Sequence, residues 1–246
     1  MMRMEQPIDA PDRLRFQLPL YTIAEAARIV DVPTSTLSTW AQGYSRQTDQ
    51  RSTVGKPIIT YVPPDVPGRP AIPFVGLTEA LVLAAIRLSG VPMQRIRPAL
   101  KKLQEELGID HALASEKLYT DGAELLYDFG QRRRGTKSGR AALMLVVVRS
   151  GQRVFVEAIQ EYLQNIVYGP DGYAALIHVP AFPHADVVAD PSRSFGAPIF
   201  ERGGTRVDEV LQRFWAGESL DELTSEFGVP RSQLEDVVRV TSRRAA

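Results

Sequence analysis

The chain contains no cysteine. Thiol nucleophiles, thiolate metal sites and disulfides are therefore excluded together, and the simplest setting is an intracellular one. Histidine is almost missing: His111, His178 and His184 have no i, i+4 pair that would put two imidazoles on one helix face, so no metal site is expected. Net charge is missing as well. The 29 basic and 29 acidic residues cancel, so any contact with nucleic acid must come from a local patch. Long apolar runs are absent; the one at residues 142–148 is too short for a membrane, and the polar, proline-broken residues 1–19 read as neither signal peptide nor membrane span. Lysine is scarce, 5 residues against 24 arginines, the balance of a GC-rich bacterial genome. No serine sits in a Gly-x-Ser-x-Gly elbow and the carboxylates are scattered. Hydrolase chemistry has no support, and neither catalytic residues nor a cofactor are expected.

What is present is a core and a repeated phrase. With 246 residues, 44% of them hydrophobic, one or two domains with real interiors are expected. Thr22-Ile23-Ala24-Glu25 is a capping box that opens a short helix with Ile23, Ala26, Ala27 and Val30 on one face. Asp31-Val32-Pro33 breaks it, and residues 34–40 resume with Leu37 inward, giving helix, tight turn, helix. The phrase returns around Gly90-Val91-Pro92 and Gly228-Val229-Pro230. In each case the first residue can close a helix and the proline favours a fresh start. The intervals are too unequal for a solenoid.

Between the first two units, the β-prone runs 57–62 and 71–75 flank a proline-rich turn and predict a two-stranded wing. Residues 93–107 have a helical apolar stripe that Pro98 should kink or restart. Further on, residues 117–129 read as a hairpin about Thr120-Asp121-Gly122, and 142–148 as a buried strand. Residues 154–164 can be helical, 166–168 and 174–179 pair as strands, and 182–198 read as a linker or draped arm. The basic stretch from Gly130 to Ser138 misses a phosphate loop, because Thr136 separates its second glycine from Lys137. It reads as a solvated loop, or as a secondary contact to a nucleic-acid backbone.

Helix-turn-helix units also pack in proteins that never touch DNA, but a wing beside one favours DNA. Tyr21 to Ala27, followed by residues 32–40 with Trp40 closing the second helix, resembles the winged helix-turn-helix of MerR-type regulators over residues 18–108. The resemblance implies that Thr34, Ser35, Thr36, Ser38 and Thr39 face DNA. Ser35 and Ser38 stand where that family places arginines, so the wing-side cations Arg46, Arg51, Lys56 and Arg69 are expected to carry the phosphate contacts.

At the other end, Asp190 to Pro198, Gly203-Gly204-Thr205-Arg206 and Ala216 to Leu223 resemble a small helical domain of bacterial antitoxins encoded beside PIN-domain ribonuclease toxins. The two-ended architecture is similar to an atypical VapB-type antitoxin. Ser219 to Glu222 is a second capping box, and Phe214, Trp215, Leu220, Leu223 and Phe227 either fill the trihelical core or leave a partner patch. If the toxin has an acidic metal site, an entering guanidinium would suit it; Arg206, Arg239, Arg243 and Arg244 are the candidates, with Phe214 and Trp215 beside them. Arg243 and Arg244 are favoured as part of a flexible tail.

The expected fold is therefore α+β: a winged helix-turn-helix (18–108), a small mixed middle module with linker that joins protomers (109–190), and a C-terminal trihelical unit (191–246). The expected partners are a PIN-domain ribonuclease, operator DNA and a second copy of the chain, with no membrane. A one-component regulator whose middle module senses a small molecule is the alternative, and a purely structural assembly the third.

Overall fold

The computed structural model describes residues 12–48, 51–149 and 152–245, with side chains described except at 45–48, 51–54, 244 and 245. After a single π-helical turn, Arg13–Gln17, the Thr22 box closes as its sequence requires: Thr22 Oγ1 accepts from Glu25 N at 3.2 Å and Glu25 Oε2 accepts from Thr22 N at 2.8 Å. This starts α1, Ile23–Ile29; α2, Thr34–Gln42, follows and buries Leu37, Trp40 and Ala41. Gly43, at φ 77°, ends it.

The wing lies earlier than its β-prone runs suggested. It is the antiparallel hairpin of β1, Tyr44–Thr48, and β2, Arg51–Gly55. Residues 57–62 and 71–75 form no such pair. Prolines 57, 63, 64, 67, 70 and 73 punctuate them, and a proline has no amide to give a ladder. They serve instead as straps: Ile58 N donates to Trp40 O at 2.9 Å, and Tyr21 forms a single bridge with Ile72.

Helix α3, Phe74–Leu88, is apolar from 74 to 86 but for Thr78 and Glu79, and every residue of that stretch is buried. Such a helix belongs at the centre of a domain. Helix α4, Met93–Leu107, runs through Pro98 without restarting. Residues 117–129 are not a hairpin but part of α5, Glu116–Arg132. Leu118, Gly122, Leu126 and Phe129 are buried at helical spacing, and Gly122, which read as a turn residue, is small because the Phe155 ring presses on it; a Cβ there would stand 3.1 Å from that ring.

The run 142–148 is split. Lys137–Leu143 is helix α6, and β3, Val146–Arg149, pairs with β4, Gln152–Phe155, burying only Val146 of its own residues. The helix expected over 154–164 begins at Glu157 and is α7, Glu157–Leu163. Strands β5, Ile166–Tyr168, and β6, Ala174–His178, pair as expected. Residues 182–198 are no linker: they contain β7, Val187–Ala189, all buried, which with β8, Ile199–Phe200, completes an antiparallel sheet in the order β5-β6-β7-β8. Three helices close the chain, α8, Val207–Trp215, α9, Leu220–Phe227, and α10, Arg231–Ala245. The fold is α+β, and one continuous apolar core runs through it. Among the described residues no helix is long and apolar enough to cross a membrane.

One polar cluster sits within this interior. Glu79, on α3 and buried, accepts from Thr60 N on the strap, and His111 Nδ1 lies 3.4 Å from Glu79 Oε1 and 3.0 Å from Thr60 Oγ1. The hydrogen bond to Glu79 raises the pKa of His111 above its usual value, partial burial opposes this, and the charges of Glu79 and Asp110 add to the rise. A basic group whose pKa is raised by folding stabilises fully below its unfolded pKa, about 6.5, and that contribution is lost as pH climbs through the folded value. Urea midpoints should therefore fall between about pH 6 and pH 8 in the native chain and fall less in His111→Gln. Equal declines in both would remove His111 as the cause.

Candidate nucleic-acid interface and partner surface

Helix α2 presents hydroxyls and no charge. Thr34 and Ser35 are exposed, while Thr36, Ser38 and Thr39 are half-buried. Two of these hydroxyls are engaged within the helix: Thr39 Oγ1 donates to Ser35 O at 2.8 Å, and Ser38 Oγ donates to Gln42 Oε1 at 3.1 Å. The positive charge comes from elsewhere. Arg87, at the C-terminal end of α3, donates from Nη1 to Thr36 Oγ1 at 3.1 Å, across a shallow cleft of about 480 Å³ between α2 and the α3–α4 turn. Arg95 is exposed at the start of α4, and Arg97 donates to Lys56 O at 2.6 Å with its guanidinium 5.6 Å from the Tyr44 ring centroid. Helix α4 thus braces the base of the wing. Lys56 and Arg69 are exposed beside it; the side chains of Arg46 and Arg51 lie outside the described residues.

Arg87 and Arg95 were not among the sequence candidates. Their motif signal was the Gly90-Val91-Pro92 phrase, which they flank, but only the fold brings Arg87 to a hydroxyl 51 residues away.

In the C-terminal unit, two of the four candidate cations, Arg206 and Arg239, are already engaged. The Arg206 guanidinium forks onto the Asp208 carboxylate, with Nε 2.8 Å from Oδ1 and Nη2 on Oδ2. Arg239 pairs with Asp236, a buried carboxylate that also accepts from His184 N at 3.0 Å, so this arginine neutralises an interior charge. Arg243 is exposed on α10, which continues to Ala245 where a flexible tail had been expected; the Arg244 side chain lies outside the described residues. Arg213, not a candidate, is held by Glu218 and Glu226 and lies over the Phe227 ring at 4.9 Å, locking α8 to α9. Those two carboxylates raise its pKa further.

The aromatics divide. Phe214, Leu220 and Phe227 pack against the core and Leu223 is fully buried, but Trp215 is 58% exposed. A second aromatic stands out in the open: Phe195, 73% exposed, on the turn between β7 and β8. Nothing in its sequence context separated it from an interior phenylalanine except the Ser-Phe-Gly triplet between Pro191 and Pro198. Among the described residues, no group of three or more His, Asp or Glu side chains is placed to hold a metal ion.

Comparison with known proteins bears on the helix-turn-helix and on the chain as a whole. Residues 19–100 match a family described as "Putative DNA-binding HTH domain". A protein of Mycobacterium tuberculosis (strain ATCC 25618 / H37Rv) named "Putative antitoxin VapB45" is 45% identical over 227 residues, 92% of this chain and 95% of its own length. The chain belongs to the VapB45 family. From the same organism, "Uncharacterized protein Rv2308" is 28% identical over 91% of this chain and 90% of its own. The crystal structure of Rv2018 from Mycobacterium tuberculosis has a TM-score of 0.81 at 44% identity, covering 92% of this chain and 100% of that one. Membership of this family therefore covers the α+β middle and the trihelical unit as well as the helix-turn-helix.

Proposed function

We propose that the chain is a non-enzymatic, cytoplasmic antitoxin that binds and neutralises a PIN-domain ribonuclease and represses its own operon through the MerR-like N-terminal unit. The observation that carries this reading is similarity over 92% of the chain to a protein named "Putative antitoxin VapB45", in a chain where α1 and α2 form a helix-turn-helix followed by the β1–β2 hairpin. Binding to operator DNA uses the α2 hydroxyls for base edges or phosphates and the cations around them for the backbone. A homodimer joined through residues 109–190 gives two such units for two half-sites. The toxin contact falls in residues 191–246, where Trp215 and Arg243 are exposed.

Two measurements test the reading. The neighbouring gene should encode a PIN-domain protein, and co-expression with it should give a complex that co-purifies and cleaves no RNA; a neighbour of another kind, or a free and fully active ribonuclease, would overturn the antitoxin assignment. Titration of the chain with its own promoter fragment should show a salt dependence that flattens in the triple variant Arg51→Ala, Lys56→Ala, Arg69→Ala, each lost phosphate contact removing roughly 0.9 from the slope. An unchanged slope would take the wing out of DNA binding.

A further inference from the structure

The basic stretch between α5 and α6 belongs to neither surface above. Within residues 132–140 stand five cations, Arg132, Arg133, Arg134, Lys137 and Arg140, and no acid. All five are exposed. Only Arg132 has carboxylate neighbours, Asp128 at 3.7 Å and Glu106 at 3.9 Å; among the described residues the other four have no acidic partner. In a chain of zero net charge, such a concentration is a local field and not a share of a general one.

The stretch is also built. Thr136 Oγ1 donates to Arg133 O at 2.8 Å and accepts from Gly139 N at 3.0 Å, closing the turn on itself. Gly139 is buried against the Arg133 carbonyl, so closely that a Cβ would stand 2.0 Å from its oxygen. The Arg133 guanidinium lies 5.5 Å from the Phe129 ring centroid, which limits how far it can swing. A solvated loop needs none of these restraints.

Its place in the fold decides the partner. Arg132 reaches Glu106 near the C-terminal end of α4, and Arg97 near the other end of α4 donates to Lys56 beside the wing. Nine residues of helix separate Arg97 from Glu106, roughly 13 Å at 1.5 Å per residue. Duplex DNA carries one phosphate charge for every ~1.7 Å of axis. Along the α4 axis the basic turn therefore lies about 13 Å from the base of the wing, less than half the ~34 Å of one duplex turn, a distance that one bound duplex can span.

We propose that Arg133, Arg134 and Lys137 form a second phosphate-binding site that grips the duplex backbone flanking the sequence read by the helix-turn-helix. The proposal rests on the DNA-binding reading above, but phosphate binding needs no particular base sequence, which makes the two separable. The site adds affinity and salt sensitivity and contributes no base discrimination.

The test uses the full chain and a mixed-sequence duplex of about 30 base pairs, titrated between about 50 and 200 mM salt. The variant Arg133→Ala, Arg134→Ala, Lys137→Ala should lower the magnitude of the slope of log K against log salt by about 2.7, roughly 0.9 per contact, with an unchanged circular dichroism spectrum. The pair Arg133→Lys, Arg134→Lys keeps the charge and should keep the slope. An unchanged slope in the alanine variant overturns the proposal. So does an equal loss in the lysine pair, which would trace the effect to packing on Phe129. Lys56→Ala with Arg69→Ala is read in parallel: loss there and not in the turn variant retains the helix-turn-helix and removes this site, and the converse retains this site and removes the wing. No binding to mixed duplex at low salt overturns this site while leaving operator recognition to the promoter titration.

Discussion

Gly196→Ala is expected to destabilise the chain by about 3 kcal/mol or more, from two costs that a single methyl group imposes together. Ser194, Phe195 and Gly196 follow one another at φ 48°, 52° and 77°, three consecutive residues in the left-handed region of which only the last is a glycine. A side chain there costs roughly 1–2 kcal/mol for each residue that adopts it. The second cost is steric. A Cβ on Gly196 would stand 2.2 Å from Tyr21 Oη, which donates to Gly196 O at 2.9 Å, and Tyr21 is buried with little room to retreat. Burial and the nearby Asp190 and Glu25 charges push the Tyr21 pKa far above the usual phenol range, so the hydroxyl remains a donor. Breaking this bond strands a buried carbonyl, a penalty of about 1–3 kcal/mol.

Tyr21→Phe isolates the loss of that hydrogen bond, and should cost about 1–2 kcal/mol, less than Gly196→Ala. Urea denaturation gives both values. Equal losses would mean that backbone strain at 196 contributes nothing. The position of the bond matters as much as its size: Tyr21 immediately precedes the Thr22 cap of α1, so the contact ties the β7–β8 connection to the start of the helix-turn-helix. Amide exchange of residues 23–29 should accelerate in either variant before that of α3 does.

The elements that were legible from sequence are those fixed by neighbours along the chain. Both capping boxes form as written, because each needs only residues i and i+3. The Val-Pro turns, the β5–β6 pair and the three C-terminal helices follow from the same local chemistry. The misreadings have two causes, one tertiary and one local. Asp121-Gly122 signals a turn locally, but the glycine is there to admit the Phe155 ring from a strand 33 residues on, a tertiary demand. The wing was placed on residues 57–62 and 71–75 for their β-branched content, when the straps had prolines where a ladder needs donors and the true hairpin was short and polar. At the site, the α2 hydroxyls could be named from the helix alone. Arg87 could not, and no sequence pattern distinguishes Arg239, whose charge the buried Asp236 absorbs, from Arg243, which nothing absorbs among the described residues.

That distinction sets the expected order of effects on toxin binding. Trp215→Ala should weaken capture of the co-expressed PIN-domain ribonuclease by about 2 kcal/mol, roughly 30-fold, because exposed tryptophans are the side chains that most often dominate a protein interface. Its indole is 58% exposed at the end of α8, on a unit whose helices are already locked by Arg213. Removing it should therefore change the unfolding free energy by no more than about 0.5 kcal/mol, the usual range for a surface substitution. Phe214→Ala is the contrasting case: that ring packs against the core, so its loss should lower stability, with any effect on the toxin following from unfolding. Arg206→Ala releases only the fork on Asp208 and should leave inhibition intact, whereas Arg239→Ala uncovers a buried carboxylate and should destabilise. Immobilised ribonuclease gives the affinities, and cleavage of a fluorogenic RNA gives the residual activity. Full inhibition by Trp215→Ala together with its loss in Arg243→Ala would move the contact from the end of α8 to the end of α10, and the neutralising group from an aromatic anchor to a guanidinium that enters an acidic site.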